Sequence, residues 1–442
     1  MADSDAYANL VLPPLLRERR ITGRDAGFAT ELAYGTLRLR ARHDAVIALA
    51  ASRPVEKIDP PVLDLLRLGV HQLLAMRVPA HAAVSETVAL ARTAAGTGAS
   101  QFVNAVLRKV GASSAEEWLA RLADEAPDDV ARLAVLHSHP AWVVRALRQA
   151  LVTDGRDVAE LADLLAADNE APAVTLVARP GLADAGEVLS ATEDARPGRW
   201  SPTAVVLRGG DPAAVPGVRE SRVGVQDEGS QLVALALAAA DPVREGERWL
   251  DLCAGPGGKT ALLGAVAAQH GAHVVATEVQ PHRADLVRRS TTAVPAGTVT
   301  VRCEDGRDVG AQEPGGYDRV LVDAPCTGLG ALRRRPEARW RRSSGDLPEL
   351  GRLQRELLTS ALDAVRPGGL VAYVTCSPHV AETRLVVEDV LRRRDDVEQL
   401  DAREAVRAVA GDIPLGDGPA VQLWPHVHGT DAMHLALLRR RA

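Results

Sequence analysis

The residues best placed for chemistry in this sequence are two cysteines that each follow an apolar run. Cys326 comes three residues after Asp323, which ends one apolar run, and Cys376 comes directly after Thr375, which ends the next. Such runs are typical of buried parallel strands, and open α/β sheets build their active sites beyond the carboxyl ends of these strands. A lone cysteine is usually an inert small hydrophobe. Two cysteines at adjacent strand ends, one of them beside an aspartate, instead indicate a reactive pair.

A thiolate, a second thiol and a carboxylate together fit one demanding reaction, methyl transfer to carbon-5 of cytosine. Carbon-5 is too weak a nucleophile to accept a methyl group directly. Attack of a thiolate on carbon-6 turns the ring into an enamine, and carbon-5 can then attack an electrophilic methyl group. Asp323 is suited to protonating or hydrogen bonding the ring nitrogen N3, and the second thiol to the release step. The residues alone do not decide which cysteine is the nucleophile.

A glycine-rich loop, Asp251-Leu-Cys-Ala-Gly-Pro-Gly-Gly-Lys-Thr260, follows an earlier apolar strand and has three candidate ligands. A P-loop would need glycine at position 253, where cysteine stands, although Lys259 and Asp323 do resemble an ATPase. A dinucleotide fold would need glycine at position 260, where threonine stands. The third candidate, S-adenosylmethionine, carries no diphosphate and needs neither of these glycines. The loop therefore favours S-adenosylmethionine.

Two acidic residues follow the next strands at positions where they would meet a cofactor. Glu278 lies 20 residues beyond Gly258, at the end of the run His273–Thr277, and a carboxylate at this spacing suits ribose hydroxyls. Asp305 follows the run Val299–Arg302 and suits the adenine. Each could instead be a solvated loop carboxylate. Their regular placement at strand ends favours the cofactor site.

The second half of the chain supplies the sheet that these residues need. A helix is predicted at Lys259–Gln269, and apolar strands are predicted at Arg248–Leu252, His273–Thr277, Val299–Arg302, Arg319–Val322 and Leu370–Thr375. Apolar strands that alternate with helices indicate a doubly wound parallel sheet. We therefore predict an α/β domain over residues 226–442.

The first part of the chain, residues 1–138, is predicted to be all-helical. Pro61–Met76 carries an apolar face at helical spacing, and Gln101–Val110 carries another that Gly111 ends. Residues 1–112 hold 14 basic and 10 acidic side chains, so this part is basic within an acidic chain. Several short amphipathic helices of this kind predict a bundle.

Between these parts, residues 139–225 are rich in proline, glycine and aspartate. Short strands are predicted at Val174–Val177 and Val205–Leu207. We predict a small α+β linker domain here, which makes three domains in all and agrees with about 150 residues per domain.

The composition of the 442 residues is that of an ordinary globular protein, with 46% hydrophobic and 25% charged residues and a net charge of -6. A wholly basic coat is excluded, so nucleic-acid contact must come from local patches. The four cysteines show no CxxC spacing, which favours neither a metal site nor disulfides. Cys253 and Cys303 fit inert small hydrophobes. The acidic N-terminus lacks signal-peptide features, and the longest apolar run is nine residues. We expect a cytoplasmic monomer without a membrane span.

Beyond these patterns, six motifs occur in the order found in the bacterial 16S rRNA cytosine-5 methyltransferases of the Sun/RsmB type, within the NOL1/NOP2/Sun family. The sequence resembles that family over nearly its whole length. The motifs are Gln226-Asp-Glu-Gly-Ser-Gln231, Asp251–Thr260, Asp323–Gly330, Arg334-Arg-Pro-Glu-Ala-Arg-Trp340, Leu350-Gly-Arg-Leu-Gln354 and Tyr373-Val-Thr-Cys-Ser377. Phe102–Arg108 is similar to the NusB-type domain that precedes the catalytic domain. The resemblance implies a NusB-like helical RNA-binding bundle, a linker domain and a Rossmann-like class I methyltransferase domain that uses S-adenosylmethionine.

The resemblance also assigns roles residue by residue. Cys376 corresponds to the nucleophile, Cys326 to the cysteine that assists product release, and Asp323 to the residue between cofactor and cytosine. Glu278 corresponds to the ribose-binding acid and Asp305 to the adenine-side acid. The loop residues expected to contact the cofactor are Cys253, Ala254, Gly255, Pro256, Gly257, Gly258 and Lys259.

An arginine-rich segment directly after the Asp-Ala-Pro-Cys motif is the candidate RNA contact. It holds six arginines and one glutamate between residues 333 and 342. Charge runs are usually solvated loops, but this position favours phosphate contact, and the target base must leave its stack to reach a thiolate. The predicted contact residues are Arg333, Arg334, Arg335, Arg339, Trp340, Arg341 and Arg342.

The sequence departs from the family pattern in two places. Ala178-Arg179-Pro180 stands where Arg-Val-Asn is common, and Thr430–His434 replaces an Asp-Gly-Phe-Phe-like strand, although Leu435–Leu438 still predicts a last strand. Three alternatives stay open: another RNA substrate (tRNA or 23S rRNA), a non-catalytic NusB-type RNA-binding factor, and an ATPase.

Overall fold

A computed structural model describes residues 7–442 of the chain. Their contacts divide it into two compact units. The first comprises residues up to Ala146 together with Leu161–Ala171 and Leu332–Arg341, and the second comprises Leu147–Glu160, Pro172–Ala331 and Arg342–Ala442. These units are not the three segments predicted from the sequence, whose boundaries at residues 138 and 225 remain a prediction.

The helices and strands of the described chain follow the predicted order. The helices are α1 (Ala8–Glu18), α2 (Gly23–Arg38), α3 (Arg40–Ala51), α4 (Pro60–Leu74), α5 (Ala80–Val110), α6 (Ala115–Asp124), α7 (Asp129–Leu136), α8 (Ala141–Thr153), α9 (Leu161–Ala167), α10 (Ala185–Ser190), α11 (Glu228–Ala239), α12 (Gly258–Gln269), α13 (Pro281–Ser290), α14 (Val309–Gln312), α15 (Ala338–Arg341), α16 (Leu347–Ala364), α17 (Arg384–Leu391), α18 (Ala402–Ala410) and α19 (Pro425–His428). The strands are β1 (Val174–Ala178), β2 (Ala195–Pro197), β3 (Ala204–Leu207), β4 (Val223–Val225), β5 (Arg248–Asp251), β6 (His273–Thr277), β7 (Val299–Arg302), β8 (Tyr317–Asp323), β9 (Val365–Thr375), β10 (Val397–Leu400), β11 (Val421–Gln422) and β12 (His434–Arg440).

Helical packing forms the first unit. Helix α4 begins at two prolines, which fit the first turn of a helix because its N–H groups have no intrahelical partner. It packs against α5 at Gly69, where an added Cβ would lie 2.6 Å from a methyl group of Leu107. The apolar faces predicted for α4 and for the end of α5 both enter one core.

A segment from the second half of the sequence completes the first unit. Arg339, on the short helix α15, is fully buried. Its guanidinium donates to the carbonyl oxygens of Ser138 (3.1 Å) and Asp168 (3.1 Å) and to the side chain of Asn169 (2.8 Å). Arg339 therefore satisfies buried acceptors at two distant points of the chain.

The second unit is built on an eight-stranded sheet. Its main strand order is β10-β12-β9-β8-β5-β6-β7, and β11 pairs with β12. Strands β5 to β9 run parallel to one another, whereas β12 runs antiparallel to β9 and to β10. The carboxyl ends of β5, β6, β8 and β9 consequently meet at one edge, as the prediction required.

Helices cover both faces of this sheet and give it two apolar cores. One core joins α11 and α18 to the sheet, and the other joins α16 and α17 to it. A buried ion pair lies at the end of α11. Arg319 is 2.9 Å from Glu247 and also donates to the carbonyl oxygens of residues 237 and 238 near the end of this helix. This arrangement confirms the predicted α/β domain.

A smaller antiparallel sheet, in the order β2-β3-β1-β4, also belongs to the second unit. Gln231 on α11 joins it to the larger sheet, because its amide donates to the carbonyl oxygen of Leu176 (3.1 Å) and accepts from Ser201 (2.9 Å). Within residues 7–442 no helix is long and apolar enough to span a membrane.

Candidate active site

The glycine-rich loop lies between the end of β5 and the start of α12, as predicted. The Gly255 backbone N–H donates to Oε2 of Glu278 across 3.2 Å. A Cβ on Gly255 would lie 2.2 Å from that oxygen, so only glycine allows this approach. Gly257 has φ of 107°, a backbone conformation that favours glycine. Both glycines have a structural reason to stand where they do.

Glu278 is buried at the end of β6 and faces this loop. Besides Gly255, its carboxylate accepts from the backbone N–H of Gln280 (3.0 Å) and lies 3.4 Å from the guanidinium of Arg283. A carboxylate has about four acceptor sites, so lone pairs remain for hydroxyl donors. Glu278 thus lies against the glycine-rich loop, and its contact with ribose stays a prediction.

Asp251, the last residue of β5, is a buried carboxylate that the sequence analysis did not single out. Its Oδ2 accepts from the hydroxyl of Thr260 at 2.6 Å. Its Oδ1 has no hydrogen-bond partner among the described residues. Burial, opposed in part by the Thr260 hydrogen bond, raises the pKa of Asp251 to about 7. Asp251 therefore offers an acceptor atom to a bound group.

Lys259 and Asp323 form an ion pair in which Nζ and Oδ2 lie 2.7 Å apart. Burial lowers the pKa of Lys259, but the Asp323 carboxylate, with the charges of Cys376 and Asp251, raises it above its usual value. Lys259 therefore stays protonated. The structure brings together the loop lysine, the strand-end aspartate and one of the two cysteines.

The two predicted cysteines are neighbours: Sγ of Cys326 lies 3.4 Å from Sγ of Cys376, and neither sulfur is part of a disulfide. Their loops are also joined directly, because the Gly330 backbone N–H donates to the carbonyl oxygen of Cys376 across 2.9 Å. The hydrogen bond with Cys376, followed by burial, raises the pKa of Cys326 well above its usual value. Cys326 therefore holds its proton more tightly than an ordinary thiol does.

The remaining predicted cofactor residues lie around the same edge without direct contact to the thiols. Asp305 pairs with Arg307 (2.6 Å), and this guanidinium lowers the pKa of Asp305. Burial raises the pKa of Cys253, so its thiol stays neutral. Ala254 is buried, and Pro256 accepts at its carbonyl oxygen from the hydroxyl of Ser290 at 3.1 Å. Cys303 is exposed.

The arginine-rich segment is divided between the two units, and its members are not equivalent. Arg335 is exposed, whereas Trp340, Arg334, Arg341 and Arg342 are half-buried. The guanidinium of Arg341 lies 4.5 Å from the centre of the Tyr7 ring, and Arg342 lies 3.8 Å from Asp346.

Two predicted phosphate contacts of this segment lie in the interior. Arg339 is fully buried and Arg333 is 5% exposed. The Arg339 guanidinium is occupied by carbonyl and amide oxygens, so we correct its assignment from phosphate contact to structural residue. Sequence analysis missed this because a buried arginine and a phosphate-binding arginine look alike in a charge run.

Sequence analysis also missed a buried carboxylate between the two cysteine loops. Glu382, six residues after Cys376, accepts from the backbone N–H of Thr327 (2.7 Å) and from the hydroxyl of Ser377 (2.7 Å). Gln354 donates to the same carboxylate (3.3 Å) and to the carbonyl oxygen of Pro325 (2.8 Å). The only sequence signal was an acidic residue shortly after a strand end.

The second unit has a parallel sheet with a glycine-rich loop and paired thiols at its edge, and the chain also forms a helical unit. This is the architecture of an α/β methyltransferase with an attached helical domain. Residues 238–439 match the family described as 16S rRNA methyltransferase RsmB/F, and residues 1–112 match the NusB family. The chain belongs to the 16S rRNA methyltransferase RsmB/F family.

Relatives along the whole chain agree with this membership. A Mycobacterium tuberculosis protein named "Putative methyltransferase" is 54% identical over 437 residues, which are 99% of this chain and 93% of that protein. The "Probable ribosomal RNA small subunit methyltransferase B" of Bacillus subtilis is 30% identical and covers 100% of this chain and 96% of its own length. The crystal structure of PH0851 superposes with a TM-score of 0.77 at 21% identity, over 96% of this chain and 93% of that one, which shows a shared fold.

Proposed function

We propose that this chain transfers the methyl group of S-adenosylmethionine to carbon-5 of a cytosine in 16S rRNA through a covalent adduct with Cys376. The observation that carries the proposal is the pair of thiols 3.4 Å apart beside the Lys259–Asp323 ion pair. Methyl transfer to most oxygen or nitrogen atoms needs no thiol. Two thiols at the sheet edge suit a carbon nucleophile that must first be activated.

The cofactor pocket fits S-adenosylmethionine in its donor and acceptor groups. Glu278 has lone pairs left for ribose hydroxyls, and the unsatisfied Oδ1 of Asp251 can accept from an ammonium group. The first turn of α12 offers backbone N–H groups to a carboxylate. The residues that would hold the cofactor are Asp251, Gly255, Gly257, Gly258, Lys259, Glu278 and Asp305. When bound, S-adenosylmethionine supplies an electrophilic methyl group on a sulfonium.

Cys376 acts first. Its thiolate, stabilised by the nearby Lys259 ammonium, forms a bond to carbon-6, and the ring electrons move toward N3. Lys259 donates a hydrogen bond to Asp323, and we assign to this pair the delivery of a proton to N3. The ring is then a neutral enamine whose carbon-5 is nucleophilic. Because the thiols are half-buried, water screens the Lys259–Asp323 ion pair less than it would at the surface.

Cys326 acts in the second half of the reaction. Once carbon-5 carries its methyl group, the C5–H bond must break, its electrons must form the C5=C6 bond, and the C6–S bond must break to return the Cys376 thiolate. We assign acceptance of the C5 proton to Cys326, which has by then released its own proton to solvent, and N3 returns its proton to the Lys259–Asp323 pair. Because Cys376 carries no charge while it is bound to carbon-6, the repulsion that keeps the proton on Cys326 is relieved at that stage.

RNA would reach this site through basic groups outside the catalytic edge. The exposed Arg335 and the half-buried Arg334, Arg341 and Arg342 are proposed to contact phosphates. The helical unit adds a basic excess over residues 1–112. We propose that it binds RNA as well.

Bisulfite sequencing of ribosomal and transfer RNA from a deletion strain tests the proposal. We expect one 5-methylcytosine of 16S rRNA to disappear, and to return with the wild-type gene but not with Cys376→Ala. Loss of the mark from tRNA or 23S rRNA would identify the alternative substrate. An unchanged pattern in all three RNAs would refute the proposal.

A further inference from the structure

The carboxylate of Glu382 is fully buried and accepts four hydrogen bonds. One oxygen, Oε1, accepts from the backbone N–H of Thr327 and from Nε2 of Gln354. The other, Oε2, accepts from the hydroxyls of Thr327 and Ser377. The carboxylate therefore uses about all of its acceptor sites.

These donors come from the two loops that carry the thiols. Thr327 directly follows Cys326 and Ser377 directly follows Cys376. A third connection comes from Gln354 on α16, whose amide also fixes the carbonyl oxygen of Pro325. The backbone of Glu382 is held too, because its carbonyl oxygen accepts from the hydroxyl of Tyr373 at 2.7 Å. Removing the carboxylate would leave several buried donors without partners, which is costly.

We propose that Glu382 is the positioning residue of the cysteine pair: its carboxylate clamps the two thiol loops together through its hydrogen bonds and favours Cys376 as the reacting sulfur. The role given to Cys376 rests on the proposed function. The clamp itself rests only on the hydrogen bonds.

The charges around the pair are arranged asymmetrically. Glu382 is among the groups that raise the pKa of Cys326, after the hydrogen bond with Cys376, burial and the charge of Cys376 itself. Lys259 interacts with Cys376. A negative charge near one sulfur and a positive charge near the other favour ionisation of the second. Three titratable groups interact with the pair or with Glu382: Lys259 with Cys376, Tyr373 with Cys326 and Glu382, and His379 with Glu382. Asp323 and Asp251 interact with Lys259, and Arg355 interacts with Tyr373.

Glu382→Gln removes the negative charge of this side chain and keeps its shape. Glutamine has the same size, its oxygen can accept from the Thr327 N–H, and its NH₂ group can donate to hydroxyls that rotate to accept. The measurement is the pH dependence of iodoacetamide alkylation of each cysteine in the full-length protein, without RNA or cofactor, with the labelled peptides resolved by mass spectrometry. We expect the midpoint for Cys326 to fall by about one pH unit, so that its alkylation at pH 8 is about tenfold faster than in the wild type.

Glu388→Gln is the matched control. Glu388 lies six residues further on, on α17, where it forms an exposed ion pair with Arg384 at 3.2 Å. We expect its alkylation profile to match the wild type. An unchanged Cys326 midpoint in Glu382→Gln, or an equal shift in the control, would overturn the role of the charge. Neither result depends on the RNA substrate, so the outcome is distinct from failure of the proposed function.

Thr327→Val tests the clamp without changing the charge, and it also serves if Glu382→Gln does not fold. The substitution removes one hydroxyl donor and keeps the volume of the side chain. We expect methylation to slow about tenfold, because a small displacement of reacting groups is costly, while the Cys326 alkylation midpoint stays at its wild-type value. Wild-type turnover in Thr327→Val would overturn the clamp.

Discussion

Asp251 provides the sharpest quantitative prediction, because its carboxylate is buried without a full set of partners. Its pKa is about 7 in the folded protein against 3.8 ordinarily. The unfolded chain therefore releases this proton more readily than the folded one. For a carboxyl whose folded pKa is raised, the folded state is destabilised above the folded pKa, and this penalty disappears as the pH falls toward the unfolded value.

The size of the penalty follows from the shift of about three pKa units. At about 1.4 kcal/mol per unit, the raised pKa of Asp251 costs about 4 kcal/mol of folding free energy at pH 8, where the carboxyl is charged. It costs about 1.5 kcal/mol at pH 5, where the folded protein keeps the carboxyl protonated. An asparagine side chain in its place would have nearly the same shape, and its carbonyl oxygen could still accept from Thr260. Asp251→Asn should therefore be more stable than the wild type at pH 8, and its advantage should shrink by about 2.5 kcal/mol at pH 5.

Urea-induced unfolding, followed by circular dichroism at the two pH values, measures this difference directly. Asp308→Asn is the control, because Asp308 is exposed and the same substitution there should change stability equally at both pH values. The reasoning fails if the advantage of Asp251→Asn is the same at pH 5 and pH 8. It also fails if that variant is the less stable protein at pH 8. Calorimetry should show weaker S-adenosylmethionine binding by the same variant, since its amide presents no negative charge to the ligand.

Three further outcomes are expected. Cys326→Ala should accumulate a protein–RNA adduct on denaturing gels, since attack by Cys376 proceeds but release does not; full turnover without any adduct would remove the release role. Glu278→Ala should weaken S-adenosylmethionine binding about tenfold or more in calorimetry, because hydrogen bonds to a charged acceptor are lost, and an unaltered affinity would end the ribose assignment. Arg335→Ala should leave the fold intact and lower the slope of RNA affinity against salt concentration by about one released counterion. Arg339→Ala should instead lower the melting temperature. The reverse pattern would contradict the placement of these two arginines.

Sequence patterns were sufficient for the parts of the site that lie at strand ends. Apolar runs located β5, β6, β8 and β9, and because parallel strands end at one edge, the meeting of Lys259, Asp323, Cys326 and Cys376 followed from their spacing. The fold class is confirmed for the same reason. Periodicity and strand ends are local properties of the sequence, and the sheet converts them directly into positions in space.

Other features depended on contacts that no local pattern encodes. Glu382 is one acidic residue among 58 acidic side chains, and only the closing of two loops around it makes it a buried acceptor. Arg339 sits in a run of six arginines, and only tertiary packing separates it from the exposed Arg335. Whether Oδ1 of Asp251 finds a hydrogen-bond partner likewise depends on tertiary contacts.

The anchoring of residues 332–341 in the helical unit has a consequence for synthesis. On the ribosome, residue 171 emerges well before residue 341, at about 5–20 residues per second, so the partly built unit waits roughly 10–30 seconds for Arg339. During that interval the carbonyl oxygens of Ser138 and Asp168 lack the donor that later serves them. A fragment ending at residue 171 should therefore be a less stable version of the same bundle, and adding residues 332–341 as a separate peptide should restore protection of its amides from hydrogen exchange.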